Sequence, residues 1–256
     1  MSPPTVDSST ALRLEERAMN AVSSSMAVMY DGWLLGYRPG DTKRLRSINP
    51  FYASTLPLEA KLAHCVDFYA RARLPAIFRL IPFSRPPELD GWLESAGWGA
   101  FGSTDVLVLD LARRPHVPPC DGLTIVDVPG WQPLAAPLLR ADEATVATMI
   151  ERSKSYPLPQ AGAVVQRDGI AAACGLVKIE DDHAGLFAVH TDPAWRNRGL
   201  ATSLVGALLD EAVRQGARRA YLQVTSDNAA AHSVYRRIGF EVAYHYWYRG
   251  RNGEQC

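Results

Sequence analysis

From residue 200 onward the apolar side chains fall at Leu200, Leu204, Val205, Leu208, Leu209, Ala212 and Val213. This is the three-and-four spacing of a helix that buries one stripe. Gly199 stands at its entry, and Gly216 sits where a C-terminal cap is expected. The short apolar run 186–191 before it reads as a buried strand, so the order is strand, turn, helix. A second pair follows, with a strand over 219–224 and a helix that starts within Thr225-Ser226-Asp227-Asn228 and ends at Gly239. Ser or Asp is expected to cap its start, with Asn228 as the alternative cap, and Gly its end. Upstream, 163–166 and 170–179 read as a hairpin about Arg167-Asp168-Gly169. Residues 123–126 form a first strand and 131–150 a helical region. In the closing segment 240–248, Tyr244, Tyr246 and Tyr248 alternate as in a half-buried strand, with Trp247 on the other side.

The first half has its own pattern. Helices are predicted over 11–21 and 58–72, strands over 32–37, 76–81 and 106–111, and a helix with a proline start over 87–96. That alternation is α/β. A proline-rich connector, Arg113-Arg114-Pro115-His116-Val117-Pro118-Pro119, separates the two halves. The division is a flexible tail 1–10, an N-terminal α/β domain 11–112, a linker 113–120 and a second domain 121–250. Leu89 to Trp98 echoes Tyr235 to Phe240, a helix closing on Gly-aromatic, which hints at a degenerate repeat.

Composition narrows the classes. Lys plus Arg equals Asp plus Glu at 27 each in 256 residues, so no global basic field argues for nucleic acid or an anionic membrane. Apolar residues make up 47%, which supports a real core, and no apolar run reaches the ~20 residues of a membrane helix. The Ser/Pro-rich start has no apolar leader and reads as the frayed tail of a cytoplasmic protein. Cys65, Cys120, Cys174 and Cys256 show no metal-ligand spacing and are expected to be reduced thiols. No metal site is expected.

The chemistry concentrates in Asp192-Pro193-Ala194-Trp195-Arg196-Asn197-Arg198-Gly199-Leu200-Ala201, a glycine turn with two arginines at the mouth of a helix. Free N–H groups at a helix start, with the positive end of the macrodipole behind them, suit a phosphate or pyrophosphate. Gly199 and Ala201 let a ligand approach the backbone closely. In the next helix Asn228 and Tyr235 are seven positions apart, about two turns and about 10 Å along the axis, hence on one face. Neither Gly-Lys-Ser/Thr nor Gly-x-Gly-x-x-Gly after a first strand occurs, which argues against a nucleotide-binding loop.

Over 184–248 these residues resemble the core of the GNAT superfamily of N-acetyltransferases. The family signature Arg/Gln-x-x-Gly-x-Gly/Ala stands as Arg196-x-x-Gly199-x-Ala201, and the later Asn, Tyr, Gly-Phe pattern as Asn228, Tyr235, Gly239 and Phe240. The resemblance implies the GNAT fold, a mixed central sheet flanked by helices, with acetyl-CoA as co-substrate. It implies that the backbone of Val189, His190 and Thr191 binds the pantetheine arm. The turn from Asn197 through Arg198, Gly199, Leu200 and Ala201 to Thr202, together with Arg196, would cradle the pyrophosphate. Asn228 would contact the cofactor arm, Tyr235 would act as general acid near the sulfur, and the helical region 131–150 would wall the acceptor site. The first half more loosely resembles the N-terminal part of two-domain bacterial members, through Asp31-Gly32-Trp33 and Asn49-Pro50. It lacks the Arg-x-x-Gly-x-Ala turn, so it is not expected to bind acetyl-CoA. Lys43, Arg44 and Arg46 read as an acceptor-pocket lining or as a solvated basic turn.

No general base is assigned. Positions where family members carry a glutamate correspond to Gln223 and Gly185. His190, the turn Glu180-Asp181-Asp182-His183 and a water chain are the alternatives. The activity implied is direct acetyl transfer to the amine of a small molecule or amino acid. The alternatives are transfer to a protein N-terminus or lysine, and a non-catalytic acyl-CoA-binding module. The partner expected is a small-molecule amine, with neither nucleic acid nor membrane, and the oligomeric state is left open, a homodimer included.

Overall fold

Asp7 accepts the backbone N–H groups of Ser9 and Thr10, each at 2.9 Å, and so caps the first helix. The computed structural model describes residues 4–22, 26–40 and 42–251; Cys256 and the first three residues of the expected tail lie outside them. In chain order the elements are α1 (Ser8–Val22), β1 (Ala27–Tyr30), β2 (Trp33–Gly36), a 3-10 turn (Lys43–Arg46), β3 (Ile48–Asn49), α2 (Leu58–Arg71), β4 (Ile77–Leu80), α3 (Leu89–Ser95) and β5 (Gly99–Asp110). Then follow β6 (Leu123–Val126), α4 (Val128–Leu139), α5 (Glu143–Lys154), β7 (Gln160–Arg167), β8 (Ile170–Glu180) and β9 (His183–Thr191). A 3-10 turn (Pro193–Trp195), α6 (Leu200–Arg214), β10 (Arg219–Thr225), α7 (Ala229–Ile238) and β11 (Glu241–Gly250) complete the chain. The α/β reading stands.

The chain forms two compact units. The first comprises Met1–Val106, Thr225–Asp227 and Val242–Cys256. In it β1, β2 and β3 pair antiparallel, β3 is parallel to β4, and β4 is antiparallel to β11. Its core holds Trp33, Leu35, Ile48, Tyr69, Phe78, Leu89 and Trp98. The second domain is expected to run to residue 250, yet the residues of the last strand from 242 onward cluster with the first unit. The cause is polar as well as apolar: Tyr244 donates to Glu15 at 2.7 Å, and Arg249 and Trp247 both donate to Asp90, at 2.6 and 3.1 Å. The tail is tied down from Thr5, whose N–H donates to Ala243 O at 2.8 Å.

The second unit comprises Leu107–Val224 and Asn228–Glu241. Here β6, β7, β8 and β9 run antiparallel in order, and β10 is parallel to β9. One face of β8 packs Cys174 and Leu176 against Val128, Trp131, Ala135 and Leu138 of α4. On the other face an added Cβ at Gly175 would lie 2.7 Å from Leu204 and 3.0 Å from Leu208 of α6. The connector is laid on α6 as well: Arg114 is ion-paired with Asp210, and Val117 fills the space over Gly206.

The helical region 131–150 is two helices. Asp127 caps α4 and Asp142 caps α5 through the N–H groups of Gly130 and Thr145, each at 2.8 Å. Arg140, at φ 53°, breaks the chain between them. Trp131 is 2% exposed and donates its indole N–H to Ala163 O at 3.0 Å. Its ring occupies the space where a Cβ at Gly162 would stand. Gly162→Ala is therefore expected to destabilise the second unit by an amount near the top of the usual ~1–3 kcal/mol for overpacking. Chemical denaturation monitored by tryptophan fluorescence measures it, and an unchanged midpoint would contradict the expectation.

Candidate functional site

Strands β9 and β10 pair only over Arg219↔His183, Ala220↔Ala184 and Tyr221↔Gly185, after which they part. The cause lies on the other edge of β9. Cys174 pairs with His190 and Leu176 with Phe187, so Ala188 and Val189 oppose the single residue Gly175, forming a bulge that bends β9. Ala188 takes φ 51° there, a conformation uncommon for a residue with a Cβ. The gap so opened is bordered by Phe187, Ala188, Val189, His190 and Thr191 on one side and by Leu222 to Thr225 on the other.

Beyond Thr191 the chain turns into α6. Asp192 accepts from Ala194 N–H at 2.8 Å to start the 3-10 turn. Arg196 Nε donates to Thr191 O at 3.4 Å, and Arg198 lies 4.7 Å from the Trp195 ring centroid. Asn197 and Gly199 both take positive φ, 61° and 77°. Because the chain enters the helix through this reversal, the amides of Asn197, Arg198, Gly199, Leu200, Ala201 and Thr202 have no partner among the described residues; the first bond of the helix runs from Ser203 N–H to Gly199 O, at 3.1 Å. Six free donors, two guanidinium groups and the positive helix end make a cradle that fits a diphosphate. Nothing lies within 4 Å of the place a Gly199 Cβ would take, so the cradle is open to a ligand.

In the second motif Asn228, the alternative cap in the sequence, caps α7 in place of Ser226 or Asp227, its Oδ1 accepting from Ala231 N–H at 3.1 Å. Ser226 is diverted because its hydroxyl donates to Asp105 at 2.5 Å, a partner 121 positions away that local spacing could not reveal. In the first unit Asp105 also meets His245 Nδ1 at 2.6 Å; no motif pointed to this cluster. Asn228 is exposed and keeps its Nδ2 for a ligand. Tyr235 is 7% exposed and meets Phe240 edge to face at 5.8 Å. Burial pushes its phenol up to about 12, so it holds its proton at neutral pH. Its hydroxyl has no hydrogen-bond partner among the described residues.

The base alternatives divide. His183 is buried and bound to Asp182 at 2.6 Å, and Asp182 also receives Arg219 at 3.8 Å. These contacts tie the start of β9 to the turn and to β10. Gly185 is overlain by Tyr221, whose Oη would lie 2.6 Å from a Cβ there. In the first unit the basic turn is not solvated throughout either: Arg46 is 6% exposed, and Lys43 lies 6.0 Å from the Phe101 ring centroid.

A helix entry in the first half is differently made. The carboxylate of Asp31 accepts the N–H groups of Thr55, at 2.9 Å, and Leu56, at 3.0 Å, and the Thr55 hydroxyl at 2.7 Å, just before α2. These bonds, that from Leu56 first, hold its acid well below the usual carboxylate range. A cavity of about 320 Å³ beside it is lined in part by Trp33, Leu56, Lys61 and Arg85. The buried Lys61 ammonium is already engaged by Asp31 O at 2.6 Å, by Ser54 and by the Trp33 ring. Here the amides that lead into the helix are met by a carboxylate of the protein itself.

Comparison with known proteins agrees with this geometry. Residues 132–240 match the Acetyltransferase (GNAT) family. The [Ribosomal protein bS18]-alanine N-acetyltransferase of Escherichia coli K12 is 34% identical over 77 residues, covering 30% of this chain and 52% of that protein. Mycothiol acetyltransferase of Clavibacter michiganensis is 36% identical over 76 residues, covering 30% of this chain and 25% of that protein. The chain thus spans about half the length, or less, of the curated relatives it matches. Among solved structures, a GCN5-related N-acetyltransferase from Kribbella flavida has a TM-score of 0.70 at 19% identity, covering 95% of this chain and 96% of that one. A tandem GNAT protein from the clavulanic acid biosynthesis pathway has a TM-score of 0.54 at 20% identity, covering 74% and 68%. Both show the fold.

Proposed function

From the membership of residues 132–240 in the GNAT acetyltransferase family, we propose that the chain is an acetyl-CoA-dependent N-acetyltransferase acting on a small amine. The observation that carries this reading is the parting of β9 and β10 in line with a helix entry whose six amides are free. The diphosphate lies on Asn197 to Thr202 with Arg196 and Arg198, the pantetheine arm runs along Val189, His190 and Thr191, and the Asn228 amide holds that arm. The neutral amine attacks the thioester carbonyl carbon, a C–N bond forms and the C–S bond breaks. The departing thiolate takes the Tyr235 proton, and the surplus proton on nitrogen passes through water to solvent, from which Tyr235 is reprotonated. No side chain is assigned as base. The peptide-amine alternative is weaker because Gln223, where a glutamate would take the proton, cannot do so.

Two measurements test this. Thiol release from acetyl-CoA across a panel of amines separates an enzyme from a module that only holds the coenzyme. Calorimetry with CoA tests the cradle. Gly199→Ala meets no steric obstacle but must hold φ 77°, which costs an alanine about 1–2 kcal/mol. Relaxation of the turn is expected to weaken CoA binding about tenfold, and an unchanged affinity would refute the cradle.

A further inference from the structure

The chain that joins β10 to α7 is fastened at Ser226. Residues Thr225–Asp227 cluster with the first unit, whereas Asn228 and α7 belong to the second. Within the first unit the Ser226 N–H donates to Ser103 O at 3.0 Å and its hydroxyl donates to Asp105 Oδ1 at 2.5 Å. With that proton committed, the Ser103 hydroxyl, 3.0 Å away, is the donor to Ser226 Oγ. Asp105 is buried and is itself held by His245 Nδ1 at 2.6 Å, so the carboxylate that Ser226 meets is fixed.

Three successive residues could cap α7. Ser226, Asp227 and Asn228 are near-equal caps by type, and each would start the helix at a different residue. Asn228 takes the place, and its C=O accepts the first helical bond from His232 N–H at 3.0 Å. Asp227 is exposed and its carboxylate has no partner among the described residues, yet it does not cap. Capping strength alone therefore does not set the register. With Ser226 as cap the helix would start two residues earlier, and Ala231 N–H would bond to the C=O of Asp227. The Asn228 side chain would lose the donor that now orients it. Tyr235 would be unmoved, because the helix beyond Ala231 is the same in both registers.

We propose that Asp105 is a positioning residue for the coenzyme: by holding the Ser226 hydroxyl it keeps Ser226 from capping α7, and so selects the register in which Asn228 presents its amide to the pantetheine arm. This rests on the proposed function, which gives Asn228 that arm. The Asn228 Nδ2 has no partner among the described residues, and the cap bond on Oδ1 is what aims it. Exchanging one cap for the other changes little, so the hydrogen bond to the carboxylate, stronger than a neutral one, decides between them.

Calorimetry with CoA and steady-state thiol release on the full chain test this. Asp105→Ala is expected to weaken CoA binding about tenfold, the low end for a hydrogen bond to a charged group. KM for acetyl-CoA should rise to match, with kcat within about threefold because Tyr235 keeps its place. Adding Ser226→Ala to Asp105→Ala deletes the rival cap and is expected to bring CoA affinity back to within about twofold. A merely structural Asp105 gives no such recovery, since the double change loosens the segment further. Ser226→Ala alone should bind CoA normally, and Asp105→Asn, which still accepts from the hydroxyl, should fall between. Where Asp105→Ala does not fold, Ser226→Asp replaces it: this side chain is repelled by Asp105 and caps strongly, and is expected to weaken CoA about tenfold. Full affinity in Asp105→Ala, or in Ser226→Asp where that stands in, overturns the proposal. So does a defect that Ser226→Ala fails to relieve, which leaves the coenzyme site standing. Absence of CoA binding by the unaltered protein overturns the proposed function, and the positioning role with it.

Discussion

Replacing Glu15 with alanine is expected to destabilise the first unit by about 3–5 kcal/mol, the cost of leaving a buried charge without its counter-ion. Glu15 and Arg79 are both 0% exposed and meet at 2.6 Å. Burial alone would strip the guanidinium of its proton affinity, but the Glu15 carboxylate outweighs it and keeps Arg79 charged. Arg79 lies 3.8 Å from the Tyr246 ring centroid, and among the described residues its Nε and Nη2 atoms have no hydrogen-bond partner, which leaves Glu15 as its one acceptor there. The other carboxylate oxygen holds Tyr244 at 2.7 Å. A single change therefore unpairs a cation and orphans a buried phenol, cutting the link from α1 to β4 and β11. Equilibrium unfolding in urea measures the loss. The double change Glu15→Ala with Arg79→Met is expected to be more stable than Glu15→Ala alone, because the uncompensated charge has gone. If the two variants unfold alike, burial of an unpaired charge is not the cause.

The second large effect is on turnover. Tyr235→Phe is expected to lower kcat about 10²-fold, the low end for acid catalysis, because a thiolate is already a tolerable leaving group. The fold should not notice: the hydroxyl bonds to no described residue, and the ring contact with Phe240 is retained. KM for acetyl-CoA should stay within about twofold, so the loss lies in the chemical step. With the phenol held at about 12 by burial, Tyr235 is protonated across the working range, and no alkaline fall in kcat below about pH 11 should trace to it. Single-turnover kinetics in quenched flow reads the step directly. An unchanged kcat would make Tyr235 a packing residue only.

What could be read from the chain was what local periodicity encodes. The α6 stripe from Leu200 to Ala212, Gly199 at its mouth and the strand and helix after it appear in the structure where spacing put them, because helix faces and glycine turns are set within a few residues, while Val213 at the end of the stripe is exposed. Tertiary partners hid the rest. Ser226 had every local qualification to cap α7, and Asp105 claimed its hydroxyl. The strand β1 has the burial pattern intermediate, exposed, exposed, intermediate, which offers no alternation to detect. Residues 131–150 gave one apolar helical pattern, and the break appears only in the left-handed Arg140 and the cap at Asp142.

Asp31 gives the two halves unequal relations to their surroundings. An anion that belongs to the chain cannot dissociate, so the α2 entry is completed on folding, whatever the solution contains. On the proposed function the α6 entry would receive its anion by mass action, and each gain in coenzyme concentration above the dissociation constant would add to the folding free energy of that half. One part of the molecule is constitutively braced, while the other would stiffen and slacken with the supply of coenzyme.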